Sequence, residues 1–288
     1  MNKIALGTAQ FGMDYGINNK KGRIPKKEVF KILDMAHENG INMVDTAYAY
    51  GDSEKIIGDY IKKKDKSFHI VSKLPKCELN VAHDIFKRSL VSLGVDILYG
   101  YLLHSFSNYN EESEIWNFMC NLKEQQKVRK IGFSLYFPSE LEMLLRHRIG
   151  FDIIQVPYNI FDRRFEEYFK ALKAMGIEIH VRSVFLQGLL LKKPETLGRH
   201  FDNIKNKLKR LQEISALMKV PVMSNCIHFA INNDYIDKIV VGVDNSQHLE
   251  QIIQWTHYFH LSSKNYERLC MLREDNEDIL LPFKWNLN

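Results

Sequence analysis

The sequence predicts an α/β fold: a (β/α)8 TIM barrel, formed as a single domain over residues 1–288. Three observations lead to it. Short β-like runs alternate strictly with helical patterns, which argues for parallel strands joined by crossover helices. Eight such units share 288 residues, a count that suits a closed barrel better than an open doubly wound sheet. No low-complexity linker or internal repeat divides the chain, and barrels of this length are commonly one unit.

The elements follow in order. Residues 4–7 form the first strand. The pattern at 26–38 repeats Val29, Ile32, Leu33 and Ala36 on one helical face, with Pro25 at its start and Gly40 at its stop. Residues 41–44 form the second strand and 53–64 its helix, with Ser53 as N-cap. Strand 68–73 precedes helix 82–93, and strand 98–104 precedes a helix around 112–126. Strand 130–134 leads, through Pro138, to helix 139–146, and strand 153–156 to helix 165–175. Strand 177–182 opens a segment, 183–237, too long for one helix. A functional loop is expected there near 191–201, followed by helices at 203–219 and 224–232. Strand 239–243 and helix 246–255 complete the set.

Composition narrows the class of function. The chain has 40 Lys and Arg against 35 Asp and Glu, a net charge of +5, with 45% hydrophobic and 26% charged residues. The mean hydropathy is −0.28. This is ordinary soluble globular composition. The lysines are dispersed, whereas a nucleic-acid reader gathers its charge on one face. No apolar stretch approaches the ~18 residues of a membrane span, and the opening MNKIALGTAQFG lacks the apolar core of a signal peptide. Cys77, Cys120, Cys226 and Cys270 lie far apart, with neither zinc nor disulfide spacing, and read as free thiols of a reducing cytoplasm. His69, His83, His180, His228 and His257 show no ligand spacing, so no metal site is expected. A small molecule remains as the expected partner.

In a barrel of this kind chemistry sits at the C-terminal ends of the strands. There the sequence places Asp45 after an apolar second strand, Lys73 after the third and His104 after the fourth. Each is costly at an apolar rim without partners. Tyr50, five residues beyond Asp45, reaches the same rim. An Asp, a Tyr, a Lys and a His converging on one pocket make a coherent set. The ammonium of Lys73 is expected to lower the pKa of Tyr50, Asp45 to keep Lys73 charged, and His104 to orient a substrate oxygen. Tyr50 then acts as general acid toward a developing alkoxide. Taken singly, each has a plainer reading: a buried Asp–Lys pair can be structural, a rim histidine is more often packing, and the chain has 13 tyrosines.

The stretch Asp45-Thr-Ala-Tyr-Ala-Tyr-Gly-Asp-Ser-Glu54 resembles the aldo-keto reductase signature Asp-Thr-Ala-x-x-Tyr-Gly-x-Ser-Glu. The similarity extends, in order, through Gly7-Thr-Ala-Gln-Phe-Gly12, Val71-Ser-Lys73, Leu102-Leu-His104, Ile131-Gly-Phe-Ser134, Gln155-Val-Pro-Tyr-Asn159 and Gln187-Gly-Leu-Leu190. The resemblance implies hydride transfer between a nicotinamide cofactor and a carbonyl or alcohol. Tyr50 would be the acid/base, with Lys73, Asp45 and His104 around it. Ser134 and Gln155 match positions that hold the nicotinamide carboxamide. The resemblance further implies cofactor contacts from Gly7, Thr8, Arg182, Ser183, Gln187, Gly242, Asp244, Gln247, His248 and Gln251. No Rossmann fingerprint is needed, since the dinucleotide of this family binds on the barrel.

Departures from the family pattern are informative. Leu135 replaces an Asn that often follows the strand-five Ser, and Arg182 stands where many relatives stack an aromatic ring. NADP(H) is the usual cofactor, but Gly242-Val-Asp-Asn-Ser-Gln-His248 offers the acidic Asp244 where relatives carry bases, so NAD(H) stays open. Phe11, Tyr15, Phe106 and Trp285 are candidate substrate contacts, Trp285 through a tail of about 256–288 that can wall the pocket. Phe283 and Trp285 otherwise cover a hydrophobic flank, and Asp162-Arg-Arg164 reads as a helix entry with solvated charges or, alternatively, a phosphate site. The opening residues resemble bacterial members linked to sugar or cell-surface polysaccharide pathways. Two other functions share the fold: a cofactor-binding regulatory or redox-sensing barrel with little turnover, and a Schiff-base lyase through Lys73. Asp45 beside Lys73 is expected to raise its pKa and so argues against the lyase.

Overall fold

A computed structural model describes residues 3–16, 22–258 and 261–285. Eight parallel strands close in sequence order into a barrel. They are β1 (Ile4–Gly7), β2 (Met43–Asp45), β3 (His69–Leu74), β4 (Leu98–Leu103), β5 (Val128–Ser134), β6 (Ile153–Pro157), β7 (Glu178–Arg182) and β8 (Lys238–Gly242). The seam is four residues long, from Ile4 opposite Ile239 to Gly7 opposite Gly242. The predicted barrel is therefore the observed fold.

The helices surround it. In chain order they are α1 (Ala9–Gly12), α2 (Lys26–Glu38), α3 (Ser53–Lys64), α4 (Leu79–Leu93), α5 (Phe106–Glu111), α6 (Glu114–Glu124), α7 (Pro138–Arg146), α8 (Phe169–Ala174), α9 (Lys205–Leu217), α10 (Val222–Ile231), α11 (Ser246–Tyr258), α12 (Ser263–Cys270) and α13 (Glu277–Leu280). Their apolar faces pack on the outward strand residues. The α2 face is the predicted one, Val29, Ile32, Leu33 and Ala36, all buried. No single described helix is long and apolar enough to cross a membrane.

Several boundaries differ from the sequence reading for visible reasons. The second strand starts at Met43 because Ile41 N–H bonds the Ala36 carbonyl at 2.9 Å and so finishes α2. The helix expected around 112–126 is α6, which starts at Glu114, and it is preceded by a further short helix, α5, which the Glu112 N–H closes on the Asn108 carbonyl at 3.3 Å. Only α8 of the expected 165–175 helix is α-helical, after a 3-10 turn at Glu166–Tyr168. The expected loop at 191–201 is folded into 3-10 turns at Leu186–Leu191, Pro194–Thr196 and Arg199–Ile204, which bury Leu190, Pro194 and Phe201.

Ser53 is not the N-cap of α3; Asp52 occupies that position. The Ser53 hydroxyl turns inward instead, donating to the Thr8 carbonyl at 3.0 Å and lying 2.9 Å from Thr8 Oγ1. It thereby stitches the start of α3 to the end of β1.

The barrel interior is layered. Ala5, Met43, Val71, Leu102 and Ile153 form a small apolar cluster inside the strands. Below it, at the N-terminal strand ends, lies a polar floor. Glu178 accepts from Tyr99 Oη at 2.8 Å, lies 2.7 Å from His180 Nε2, and pairs with Lys130. Burial raises the Glu178 carboxyl, but its bonds from His180 and Lys130 outweigh that and bring it down to about 2.

Asp162-Arg-Arg164 is not a solvated helix entry. Asp162 is fully buried and Arg164 nearly so. The Arg164 Nε and Nη2 meet the two Asp162 oxygens at 2.9 Å each, a bidentate pair, while Nη1 reaches Glu277 at 3.2 Å. Arg163 donates to the Cys270 carbonyl at 3.0 Å, and Glu274 N–H to the Phe161 carbonyl at 2.9 Å. Together these bonds clasp the C-terminal segment to the loop after β6. Of the tail predicted at 256–288, residues 259–260 and 286–288 lie outside the described residues.

Candidate active site

At the C-terminal strand ends a cleft opens to solvent. Its floor holds Asp45, at the last position of β2. Asp45 Oδ1 accepts from Lys73 Nζ at 2.5 Å and Oδ2 from Gln155 Nε2 at 2.7 Å. Lys73 also donates to the Thr46 carbonyl at 2.9 Å and is fully buried. An Asp and a Lys from adjacent parallel strands thus satisfy each other in a place where either alone would be costly.

Tyr50 sits above this pair. Lys73 Nζ lies 5.2 Å from the Tyr50 ring centroid, and the His104 ring meets Tyr50 edge-on at 5.5 Å. The four residues expected at the strand ends are brought together. Backbone packing fixes the loop that carries Tyr50. Gly51 has φ +54, and a Cβ there would stand 2.4 Å from the Gly12 carbonyl oxygen, so only glycine fits.

The electrostatics depart from expectation. Tyr50 is pushed above the ordinary phenol value, first by burial and then by the Asp45 charge, against the opposing pull of Arg182. The expected depression by Lys73 is overturned: Asp45 absorbs the ammonium's field, and desolvation of a phenolate dominates. Lys73 itself lies below its ordinary value because burial outweighs Asp45. Asp45 does raise it, as expected, but not enough to offset the burial. Burial, then Lys73 and Arg182, pull His104 down to about 3, so its ring is neutral at pH 7.

The wall formed by β1, β7 and β8 has the chemistry of an anion cradle. Ser183, Leu186 and Gln187 adopt φ of +61, +47 and +52, with Gly188 at +93. Within this turn the N–H groups of Val184 and Phe185, which line the cleft, donate to no acceptor among the described residues. Successive backbone N–H groups in such turns bind phosphate oxygens. Gly7, Thr8, Gly242, Asp244 and His248 line the adjoining wall, with His248 Nδ1 3.8 Å from Asp244. This donor set fits the phosphates of a dinucleotide.

The aldo/keto reductase family model matches residues 3–274. This chain belongs to the aldo/keto reductase family. Among similar proteins, the uncharacterized oxidoreductase YqkF of Bacillus subtilis is 24% identical, covering 88% of this chain and 90% of its own length. The holo form of aldo-keto reductase AKR11C1 from Bacillus halodurans superposes with a TM-score of 0.77 at 20% identity, covering 94% of this chain and 91% of that one. An aldose reductase from Schistosoma japonicum gives 0.70 at 18% identity, covering 96% and 90%. Those two likenesses concern the fold. As a member of the family the chain is an oxidoreductase working with a nicotinamide cofactor and a small-molecule substrate.

Within this aldo/keto reductase, the remaining sequence candidates scatter. Gly7, Thr8, Gln155, Arg182, Ser183, Gln187, Gly242, Asp244, His248 and Tyr15 line the cleft. Gln155 is there with its amide nitrogen committed to Asp45. Ser134 closes β5 opposite Gln155, buried and outside the cleft lining. Gln247 and Gln251 are exposed on α11 and are not part of the cleft lining. Phe11 and Phe106 are buried in the core, because α1 and α5 fold those rim aromatics inward. Trp285 packs edge-on against Phe201 at 5.2 Å and donates to the Ile279 carbonyl, outside the cleft.

Besides Val184 and Phe185 of the turn, sequence reasoning missed two residues whose side chains bear on the site. Gln10 lines the cleft beneath Gly242, where a Cβ would come within 2.9 Å of its amide. Its signal was a polar residue between Ala9 and Phe11 in an otherwise apolar turn. Tyr136 carries the Arg182 guanidinium 4.1 Å above its ring. An aromatic residue two places after a strand-end Ser was its only trace.

Proposed function

We propose that this chain reduces a carbonyl to an alcohol with Tyr50 as the proton donor. A nicotinamide held in the cleft by the Ser183–Gln187 turn and the Gly7, Thr8 and Gly242 wall would supply the hydride. The Tyr50 hydroxyl gives its proton to the carbonyl oxygen as the new C–H bond forms. The observation that carries this reading is the position of Tyr50, between His104 at 5.5 Å and Lys73 at 5.2 Å, above the Lys73–Asp45 pair. A raised pKa keeps the phenol protonated at neutral pH, as a donor requires. His104, neutral in the same environment, hydrogen-bonds the carbonyl oxygen without adding charge. Lys73 meets the negative charge that forms on Tyr50, and Asp45 with Gln155 holds Lys73 in place.

The turn at Ser183–Gln187 holds the pyrophosphate, and Gly7, Gly242 and Thr8 form the wall beside it. The cofactor is NAD(H) rather than NADP(H). Apart from Arg182, no Lys or Arg lines the described cleft, and Asp244 repels a 2′-phosphate while accepting from a ribose hydroxyl. The carbonyl belongs to a sugar-linked substrate, as the resemblance of the opening residues suggests.

The test is a fluorescence titration with NADH and NADPH, paired with Tyr50→Phe. NADH is expected to bind more tightly. The variant should bind it as the parent does and lose about 10²- to 10⁴-fold in carbonyl reduction. Parent-like turnover in the variant overturns the role of Tyr50. Absence of binding by either cofactor overturns the reductase reading and turns attention to Lys73, where borohydride trapping would reveal a Schiff base.

A further inference from the structure

We propose that the cleft selects a carbonyl substrate bearing an anionic oxygen group, a carboxylate or phosphate, near the reacting carbon, and that Arg182 receives it. The inference rests on the reductase reading and adds the chemical class of the substrate.

Arg182 closes β7, in register with Pro157 of β6, and lines the cleft with Tyr50 and Tyr15. Its guanidinium is held rather than free. It stacks 4.1 Å above the Tyr136 ring, donates through Nη2 to the Leu135 carbonyl at 3.0 Å, and lies 3.4 Å from Ser183 Oγ through Nη1. Stacking of this kind orients a guanidinium and lowers the entropy it loses on binding. A guanidinium carries five N–H donors; two are engaged by these bonds, so three have no acceptor among the described residues.

No carboxylate pairs with it among the described residues, because those nearby are committed. Asp45 gives one oxygen to Lys73 and the other to Gln155. Asp244 faces His248. Glu140 Oε2 accepts the N–H groups of Tyr136 at 2.8 Å and Phe137 at 3.0 Å, which ends the turn into α7. Lys73, the neighbouring cation under the cleft, thus has an acid, and Arg182 has no ion-pair partner among the described residues. A half-buried, oriented cation without a counterion is unfavourable in the free protein and becomes favourable when an anion arrives. Its field already reaches the reacting group, since it opposes the rise in the Tyr50 pKa. An anion on Arg182 therefore brings a neighbouring carbonyl close to the Tyr50 hydroxyl. Bidentate geometry suits both carboxylate and phosphate.

The experiment compares kcat/KM for matched pairs with the cofactor the protein binds: 4-oxobutanoate against butanal, and glyceraldehyde 3-phosphate against glyceraldehyde. At least a roughly tenfold preference for the anionic member of one pair is expected. The pair that shows it distinguishes carboxylate from phosphate. In Arg182→Met the ratio should fall toward one, and in Arg182→Lys part of it should return. Tyr136→Leu, which leaves the arginine but removes its stack, should lower the ratio by raising KM for the anionic member. A ratio near one in the parent, or an unchanged ratio in Arg182→Met, overturns the proposal. Calorimetry of the protein alone with succinate and glycerol phosphate gives a second readout that needs no turnover. Binding lost in Arg182→Met supports the anion site even if no carbonyl is reduced, and no binding to the parent overturns it. Failure of the reductase reading shows separately, as absence of nicotinamide binding.

Discussion

A Cβ on Gly12 would stand 1.8 Å from the carbonyl oxygen of Tyr50. The last residue of α1 is thus pressed, backbone to backbone, on the loop that carries the proposed proton donor, and the Cβ would also lie 2.5 Å from Ser53 N. Gly12→Ala must push that loop outward. The expected result is a drop in Tm of several degrees together with a fall in kcat on the order of 10²-fold, since a displacement near 1 Å suffices for that. Gly150→Ala, where nothing lies within 4 Å, should change neither. Thermal melts and steady-state assays on the two variants check this.

Lys73→Met leaves Asp45 buried with only the Gln155 amide as partner. Breaking such a pair costs about 3–5 kcal/mol, whereas removing both charges costs less. Urea denaturation should therefore find the Lys73→Met, Asp45→Leu double variant more stable than Lys73→Met alone.

His104 makes stability depend on pH. Its folded pKa of about 3 lies below the ordinary 6.5, so on acidification the unfolded chain takes up a proton that the folded chain refuses. The stabilising contribution is complete above 6.5 and is lost progressively as pH falls toward 3. In His104→Leu the urea midpoint should decline less between about pH 6 and 4.5 than in the parent. Equal slopes would show that the histidine is solvated.

Cofactor choice is tested at the wall after β8. Replacing Asp244 by Ser and His248 by Arg removes the repulsion and supplies a partner for a 2′-phosphate. The ratio of NADPH to NADH dissociation constants should fall by about tenfold or more, the effect of one charge-assisted bond. An unchanged ratio means that neither side chain meets the ribose.

Arg164→Met would leave Asp162 fully buried without its bidentate partner and release Glu277. The loss should be about 3–5 kcal/mol. Limited proteolysis should then cut first in the segment around α12 and α13.

The barrel and the convergence of Asp45, Tyr50, Lys73 and His104 were legible in the sequence for one physical reason. Asp45, Lys73 and His104 each follow an apolar run, so strand direction carries them to the same rim, and Tyr50 lies on the short loop that leaves it. Ser53 was misread as a cap because a hydroxyl before a helix satisfies either its own backbone or a neighbour, and Thr8 is 45 residues away. Phe11 and Phe106 looked like rim residues because nothing local says that α1 and α5 turn them inward. The pKa of Tyr50 was misjudged in sign, since desolvation depends on packing that only the folded chain defines. Tyr136 gains its meaning from Arg182, a partner two strands away in the barrel.

The seam between β1 and β8 bears on how the molecule is made. Gly7 meets Asp45 of β2 on one side and Gly242 of β8 on the other, so a ribosome must release most of the chain before the first strand has a neighbour on the second side. Until then β1 offers an open edge, the kind of surface that recruits other chains. We expect nascent chains halted near residue 230 to be digested readily by protease and those halted beyond 275 to resist, provided both are tethered clear of the exit tunnel. Equal resistance would mean that a seven-stranded intermediate is already compact. A slow gap in synthesis before β8 would lengthen the exposed interval, so yield in a cell should respond to the codons that encode the last quarter of the chain.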